Sequence, residues 1–281
     1  MPADLPYLRR MSLRGGVLGV FVVGAAACQS TPASHSGFLS GYDGLGVDAA
    51  APKARRDDVA SDAINAVFLQ PSILRLPADT PLTAEDQARV RSEVDRQICY
   101  EVSERFTILP EVSPTGGTVR TAIVDIHPTN RAGSAVSAAA GFFIPVPLVK
   151  FRLPMTTGGL AVETELLSPD GTQVAALTWS RSAEVVGRVD PSLSPVGDAL
   201  QLAEPMGDAV GDAFSSKTRA VRPIPEPDPC ARFGARTNVG RMVASGIVGF
   251  GTGLYVPAVA GTGTPETAPE TPAAPPASPR D

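Results

Sequence analysis

The N-terminal segment constrains this chain more than any other feature, because it determines where the folded part can begin and in which compartment it folds. Arg9, Arg10 and Arg14 precede a short apolar run at residues 17–23, and four small residues at 24–27 lead into Cys28. This order is typical of an export signal. The apolar run is too short to span a hydrocarbon core of about 30 Å. Residues 1–27 are therefore predicted to be a signal peptide.

Cys28 would be the first residue of the mature chain, where its thiol can be acylated with palmitate-type chains. More than one acyl chain makes a stable membrane anchor. Gln29 follows, and the Asp that signals inner-membrane retention is absent from that position. We therefore expect a lipid anchor in the outer membrane, with the protein facing the periplasm. The alternative is an ordinary signal peptide, or a short transmembrane anchor, with an incidental cysteine.

Composition limits which partners the protein can bind and which residues can build its core. The formal net charge is −5, which offers no basic surface for nucleic acid. Aromatic residues make up only 5% of the chain, so the core must be largely aliphatic. With Cys28 acylated, Cys99 and Cys230 form an even pair in an oxidising compartment, which favours a disulfide. Two buried free thiols remain the alternative, because sequence does not place the cysteines within bridging distance.

Changes in composition divide the chain into five parts. The signal peptide is followed by a Ser/Gly/Ala-rich tether (28–60), a folded domain (61–217) and a Gly-rich apolar extension (218–261). The tail, residues 262–281, holds six prolines and no aromatic residue, so it is predicted to be disordered.

Residue patterns inside the domain predict an α+β fold. Apolar or β-branched runs at 63–69, 106–109, 118–127, 160–167 and 172–181 predict five strands. The last two flank Ser168-Pro169-Asp170-Gly171, which is typical of a hairpin turn. Helices are predicted from Thr83 and from Ser194-Pro195. We expect a mostly antiparallel sheet of about five strands with two helices packed on one face.

The first predicted helix has a clear apolar stripe. Val90, Val94, Ile98 and Val102 recur every fourth residue. The polar positions between them are expected on wetter faces of the helix, and they are Arg89, Glu93, Arg96 and Glu101.

Two long connections, 128–158 and 243–260, are more apolar than exposed loops usually are. Either they pack on the sheet or on each other, or they contact a membrane or a partner. Their candidate interaction residues are Phe142, Phe143, Ile144, Phe250 and Tyr255.

No pattern predicts catalysis, and no cofactor or metal site is expected. Asp125 and His127 alternate onto one face of a strand, where a partly exposed surface pair explains them. Glu163 and Glu165 alternate in the same way and are expected on a solvated sheet face. Trp179 is expected to be a core or edge anchor.

The order of elements resembles an uncharacterised family of bacterial lipoproteins, domain of unknown function 3313. The residues that carry the resemblance are Gly37-Phe38-Leu39-Ser40-Gly41-Tyr42, the strand ending at Pro71, the amphipathic helix, and the Glu-rich strand 162–167 before the turn. The turn here reads Ser-Pro-Asp-Gly, a partial departure from the family's Asp-Ser-x-Thr-Gly. The resemblance covers about residues 25–217. The resemblance implies that the protein is located in the cell envelope and contains an α+β domain, and it supplies no catalytic residues.

Three functions are open at this point, and the last in order of support is an enzyme with an unrecognised site, for which Asp125 and His127 are the only residues. The first is a non-enzymatic accessory or interaction subunit, lipid-anchored to the membrane and bound to an unknown envelope protein. The second is a periplasmic module that binds a small ligand or a lipid. Phe38, Leu39 and Tyr42 either staple the tether onto the domain or form a linear motif that binds a partner. The sequence leaves the oligomeric state open.

Overall fold

The computed structural model describes residues 35–45, 52–141, 150–153, 155–187, 190–234, 236, 239–252 and 254–262. Within these residues nine strands occur, namely β1 (Lys53–Arg56), β2 (Ala66–Leu69), β3 (Ile73–Leu74), β4 (Thr107–Leu109), β5 (Gly117–His127), β6 (Lys150–Phe151), β7 (Gly159–Leu167), β8 (Gln173–Ser182) and β9 (Val186–Gly187). The helices are α1 (Asp58–Ala63), α2 (Ala84–Ser103), α3 (Arg131–Gly141), α4 (Gly197–Phe214), α5 (Val239–Thr252) and α6 (Pro257–Ala260), with a 3-10 turn at Ala231–Phe233. The fold is α+β.

The main sheet is mixed and has seven strands in the described part of the chain. Its order is β1-β8-β7-β5-β2-β4, and β3 also pairs with β5. Strands β5, β7, β8 and β1 pair antiparallel, whereas β2, β3 and β4 join in parallel. The expected five-stranded, mostly antiparallel sheet is therefore wrong. Helix α2 lies in the connection from β2 to β4 and β5, and parallel neighbours require a long crossover of this kind.

Pro71 explains why β2 and β3 are separate strands. Both pair with β5, β2 along residues 117–119 and β3 along residues 122–123. Gln70 N donates to the Val119 carbonyl, and Arg75 N donates to the Ile123 carbonyl, so the ladder resumes after the break. A proline has no N–H to donate to a ladder and therefore interrupts it.

Helices α2 and α4 pack against each other and, with one face of the sheet, enclose the main core. The predicted stripe of α2 is present, since Val90, Val94, Ile98 and Val102 are all buried. Thr83 caps the helix as predicted, its hydroxyl accepting from Asp86 N at 3.1 Å. The main core also contains Trp179, which is 1% exposed.

Two local expectations were wrong, and one feature was not anticipated. Glu93 was expected on a wetter face of α2, but it lies buried and paired with Arg96 at 2.6 Å. Helix α4 begins at Gly197 and has no side-chain cap, whereas Ser194 accepts from Val196 N just before it. The two apolar connections, for which no helix was predicted, contain α3, α5 and α6.

Candidate functional site

Glu163 and Glu165 lie in the middle strand of the sheet on the face opposite α2 and α4. They are 4% and 0% exposed, so the expected solvated face is wrong. Buried carboxylates are costly unless they are hydrogen-bonded or paired. Most of their partners come from residues 35–45, which we call the strap because this segment lies across the sheet.

Glu163 is satisfied by two strap residues. Ser36 donates twice, from its backbone N to Oε1 at 2.9 Å and from its hydroxyl to Oε2 at 2.6 Å. The Tyr42 hydroxyl also donates to Oε2 at 2.6 Å, and it accepts from Leu39 N at 3.0 Å. Burial, followed by this bond to Glu163, raises the pKa of Tyr42. One carboxylate thus holds both ends of a turn in the strap.

Glu165 holds the middle of the strap and links it to neighbouring strands. Ser40 donates from its backbone N to Oε2 at 2.8 Å and from its hydroxyl to Oε1 at 3.2 Å. Gln173 donates to Oε2 at 2.7 Å, and Arg120 approaches Oε1 at 3.1 Å as an ion pair. Each carboxylate is therefore occupied by donors from this chain.

The apolar side chains of the strap fill a second, smaller core. Phe38, Leu39 and Leu45 are 4–7% exposed and pack with four small sheet residues, Ala122, Val124, Ala161 and Ala176. Small residues on the sheet leave room for the larger strap side chains. The guanidinium groups of Arg75 and Arg120 lie 5.6 and 5.0 Å from the Phe38 ring centre, a cation–π geometry.

Phe38, Leu39 and Tyr42 therefore pack onto the folded domain, and they do not form an exposed linear motif. Alternation along β7 predicted that Glu163 and Glu165 share a face. The covering segment was missed because Ser36 and Glu163 are 127 positions apart.

Asp125 and His127 are placed at the end of β5. Burial raises the pKa of the Asp125 carboxyl, and the nearby His127 lowers it by a smaller amount. His127 is exposed. We find no third polar group that would organise them for proton transfer in the contacts of the described residues.

A buried ion pair that sequence reasoning missed lies beside α3. Arg152 binds both oxygens of Asp198, at 2.6 and 2.9 Å, and both side chains are fully buried. Gly158 N also donates to Asp198 at 2.6 Å, and Asp198 N donates to the Thr129 hydroxyl at 3.2 Å. The pair joins the start of α4 to the segments flanking β6 and β7. Neither residue sits in a pattern that could have indicated it.

The remaining predicted residues are distributed as follows. Cys99 and Cys230 are joined by a disulfide that ties the C-terminal extension to α2. Tyr255 packs against the main core, and Ser192 donates to its carbonyl at 2.9 Å. Phe250 lies in α5, with its side chain outside the described part. The signal peptide, Cys28, Phe142, Phe143, Ile144 and nearly all of the predicted tail lie outside the described residues.

Two observations concern ligand sites in the described part of the chain. Its His, Cys, Asp and Glu residues form no group of three that could hold a metal ion. A cavity of about 10 Å³, lined by Asp95, Thr121 and Arg232 among others, has room for one water molecule. None of the helices described has the length and apolar character needed to cross a membrane.

Comparison with known proteins gives one family and a distant structural likeness. The search of curated proteins found no match. The PelC dodecamer from Paraburkholderia phytofirmans is similar at 10% identity and a TM-score of 0.35, over 59% of this chain and 98% of that one. A single-substitution variant of it gives 10% identity and a TM-score of 0.32, over 59% and 99%.

The family model described as "Protein of unknown function (DUF3313)" matches residues 34–210, which is more than half of the chain. The match begins at the strap and ends within α4, so it includes both carboxylates and the sheet that carries them. The chain therefore belongs to the DUF3313 family.

Proposed function

We propose that this protein is a lipid-anchored envelope lipoprotein of the outer membrane, facing the periplasm, and that it acts as a non-enzymatic interaction subunit of an envelope complex. The observation that carries the proposal is the strap. Its side chains and backbone occupy Glu163 and Glu165, the two buried carboxylates of the sheet's outer face. These carboxylates hold the N-terminal segment in place, and their oxygens already accept hydrogen bonds from donors of this chain.

The strap matters for an anchored protein because it shortens the tether. Six residues lie between Cys28 and His35, where the strap begins, and the seven steps from one Cα to the next reach at most about 25 Å when extended. An acyl anchor on Cys28 would therefore hold the domain close to the membrane surface. A flexible tether of the full 28–60 segment would allow a much longer reach.

Helix α5 supplies a surface for a protein partner. Val243 and Ile247 are four residues apart on the helix and are 54% and 67% exposed. Side chains at this spacing lie on one face. Paired aliphatic residues on an exposed helix face suit the apolar core of a protein interface.

Crosslinking in cells tests the proposal. A photo-crosslinking residue is placed at Ile247 and, as a matched control, at Val59, which is 83% exposed in α1. We expect one dominant envelope protein to be captured through position 247 and not through position 59, and only when Cys28 is intact. Equal capture at both positions, or none, would refute the interaction role. A lipid or small molecule copurifying in that case would favour the ligand-binding module.

The anchor is tested separately by mass spectrometry of the N-terminal peptide. We expect diacylglyceryl and acyl groups on Cys28 and membrane fractionation that Cys28→Ser abolishes. An unmodified cysteine in a chain that still fractionates with membranes would contradict the lipoprotein assignment.

A further inference from the structure

The disulfide between Cys99 and Cys230 has two chemically different ends. Cys99 lies in α2 and is buried in the main core, and no charged group among the described residues contacts its sulfur. Cys230 lies just before the 3-10 turn of the C-terminal extension and is equally buried. The Nη2 atom of the Arg236 guanidinium, however, lies 3.4 Å from Cys230 Sγ. This difference decides which sulfur carries negative charge when the bond is reduced.

Three residues hold the Arg236 guanidinium beside this sulfur. It donates from Nε and Nη2 to the two carboxylate oxygens of Asp228, at 2.7 and 2.9 Å. Nη2 also donates to the Ser103 hydroxyl at 2.6 Å, and Nη1 donates to the Tyr100 carbonyl at 3.1 Å. The Arg236 side chain is only 10% exposed, so salt screens its charge weakly. The positive charge is therefore fixed in position next to Cys230.

The charged surroundings of Cys230 are local in sequence. Cys230 N donates to Asp228 Oδ1 at 2.9 Å, and Phe233 N donates to the Cys230 carbonyl at 2.9 Å. Asp228 and Arg236 are eight positions apart, one on each side of the cysteine. Because both sulfurs are buried, a reagent reaches them only when this segment is lifted from α2. Arg236 then moves together with Cys230, whereas Cys99 stays behind in the helix.

We propose that Cys230 is the nucleophile through which this disulfide forms, and that its reaction partner is an oxidant that itself carries a disulfide. In the reduced chain, the positive charge of Arg236 favours the Cys230 thiolate over the thiol. The thiolate attacks one sulfur of the oxidant, a mixed disulfide forms on Cys230, and the other sulfur leaves as a thiolate. Cys99 then loses its proton to solvent and attacks Cys230 Sγ, and the oxidant's second sulfur leaves as a thiolate. The chain loses two electrons and the oxidant gains them.

The comparison of the two cysteines separates the effect of charge from the effect of burial. Burial disfavours a thiolate, and it acts on Cys99 and Cys230 alike, since both are fully buried. The negative charge of Asp228 offsets part of the Arg236 charge. The guanidinium nevertheless contacts the sulfur of Cys230 directly, and Cys99 has no such contact. Cys230 is therefore the more readily ionised of the two.

The groups around Cys230 keep their charge over the pH range in which a thiol titrates. The hydrogen bonds from Arg236 lower the pKa of the Asp228 carboxyl, so this group stays ionised. Burial raises the pKa of the Tyr100 hydroxyl, so this group stays neutral. Glu93 and Arg96 of α2 act on Tyr100 with opposite signs and pair with each other. A change in cysteine reactivity between about pH 6 and 9 therefore reports ionisation of the thiol.

The rate of alkylation by iodoacetamide, measured as a function of pH, tests the proposal because the thiolate is the form that reacts. The chain carries Cys28→Ser and keeps one of the two remaining cysteines, by Cys99→Ala in one variant and Cys230→Ala in the other. We expect the half-maximal rate at a pH lower by about 1 unit for Cys230 than for Cys99.

Two arginine substitutions show whether the guanidinium is the cause. Arg236→Gln should raise the pH of half-maximal rate for Cys230 and remove most of the difference between the cysteines. Arg232→Gln is the matched control, because it changes the net charge equally at an exposed side chain that lies over the Phe233 ring. It should leave the rate profile of Cys230 in place. Equal profiles for the two cysteines, or a Cys230 profile that Arg236→Gln does not move, would overturn the assignment.

A second measurement decides the question if the variants with one cysteine fail to fold. The reduced chain with both cysteines is mixed with oxidised glutathione and quenched with acid after successive intervals. Peptide mass spectrometry then identifies which cysteine carries glutathione first. Glutathione on Cys230 before Cys99 supports the proposal, and glutathione first on Cys99, or on both equally, refutes it.

Discussion

The hydrogen bond from Tyr42 to Glu163 offers a direct test of how the strap is held. Tyr42→Phe removes the hydroxyl that donates to Glu163 Oε2 at 2.6 Å and accepts from Leu39 N at 3.0 Å. A hydrogen bond to a charged group contributes about 1.5–3 kcal/mol to stability. Leu39 N–H loses its acceptor at the same time. We expect Tyr42→Phe to lower the free energy of unfolding by about 2–3 kcal/mol.

A double-mutant cycle isolates this bond from other consequences of the substitutions. Glu163→Gln keeps the shape of the side chain and removes its charge. If the bond is formed as described, the two single substitutions are not additive, and their coupling energy is about 1–2 kcal/mol. Ser36 still contacts position 163 in both backgrounds, so the coupling reports Tyr42 and not the whole strap.

Urea unfolding of the mature chain, made soluble by Cys28→Ser, measures these free energies. A loss of 2–3 kcal/mol corresponds to a decrease in Tm of about 5–10 °C for a domain of this size. Hydrogen exchange of residues 35–45 shows whether the strap detaches before global unfolding. Tyr100→Phe is the matched control, because its hydroxyl makes only a 3.4 Å contact with the Gly234 carbonyl. It should change stability by less than about 0.5 kcal/mol.

A coupling energy below about 0.3 kcal/mol would refute the reasoning, since additivity within that range is found for independent sites. Equal losses for Tyr42→Phe and Tyr100→Phe would also refute it. Either result would mean that water replaces the Tyr42 hydroxyl at no cost, and that the strap is held by its apolar residues alone.

Three further predictions concern the rest of the fold. Replacing both Cys99 and Cys230 with Ala should lower the free energy of unfolding by about 2–5 kcal/mol, because the disulfide closes a loop across 131 positions. Urea unfolding measures this loss, and an unchanged midpoint would contradict the prediction. Arg152→Met alone should lower the free energy of unfolding by about 3–5 kcal/mol, because it leaves Asp198 buried and unpaired. Adding Asp198→Asn should recover part of this loss, and a further loss in the double variant would argue against a buried ion pair. Burial raises the pKa of the Asp95 carboxyl, so its ionisation destabilises the folded state above that pKa. Asp95→Asn keeps the acceptor for Ser72 N and should therefore stabilise the protein at pH 7. This gain in stability should vanish as the pH falls below the usual pKa of an Asp carboxyl. Thermal melts at pH 7 and below that pKa measure the gain, and destabilisation at pH 7 would show that the charge is needed.

The elements best predicted from sequence are those whose signal is local. The α2 stripe depends on a four-residue spacing, and the turn at 168–171 depends on a proline followed by a glycine, which indeed has φ of +84°. The strand ending before Pro71 was also found, because proline interrupts a ladder wherever it occurs. Such signals need no knowledge of what packs against the element.

The errors share one physical origin. Strand direction and strand number depend on which segments pair across the chain, and the short strands β1 and β3 have too few residues to show a periodic pattern. Glu93 is buried although nothing in the local pattern of α2 indicates it. Alternation along β7 indicates which residues share a face, but not what covers that face.

The sequence by itself therefore determined the α+β class, the main helix and the hairpin, because each is encoded in composition or in spacing over a few residues, whereas the export-type N-terminus stays a prediction. Only the tertiary structure decided that the Gly-Phe-Leu-x-x-Tyr motif and the paired glutamates form one unit. Their contacts join positions more than 120 residues apart, and a hydrogen bond between distant positions leaves no trace in the local pattern of either segment.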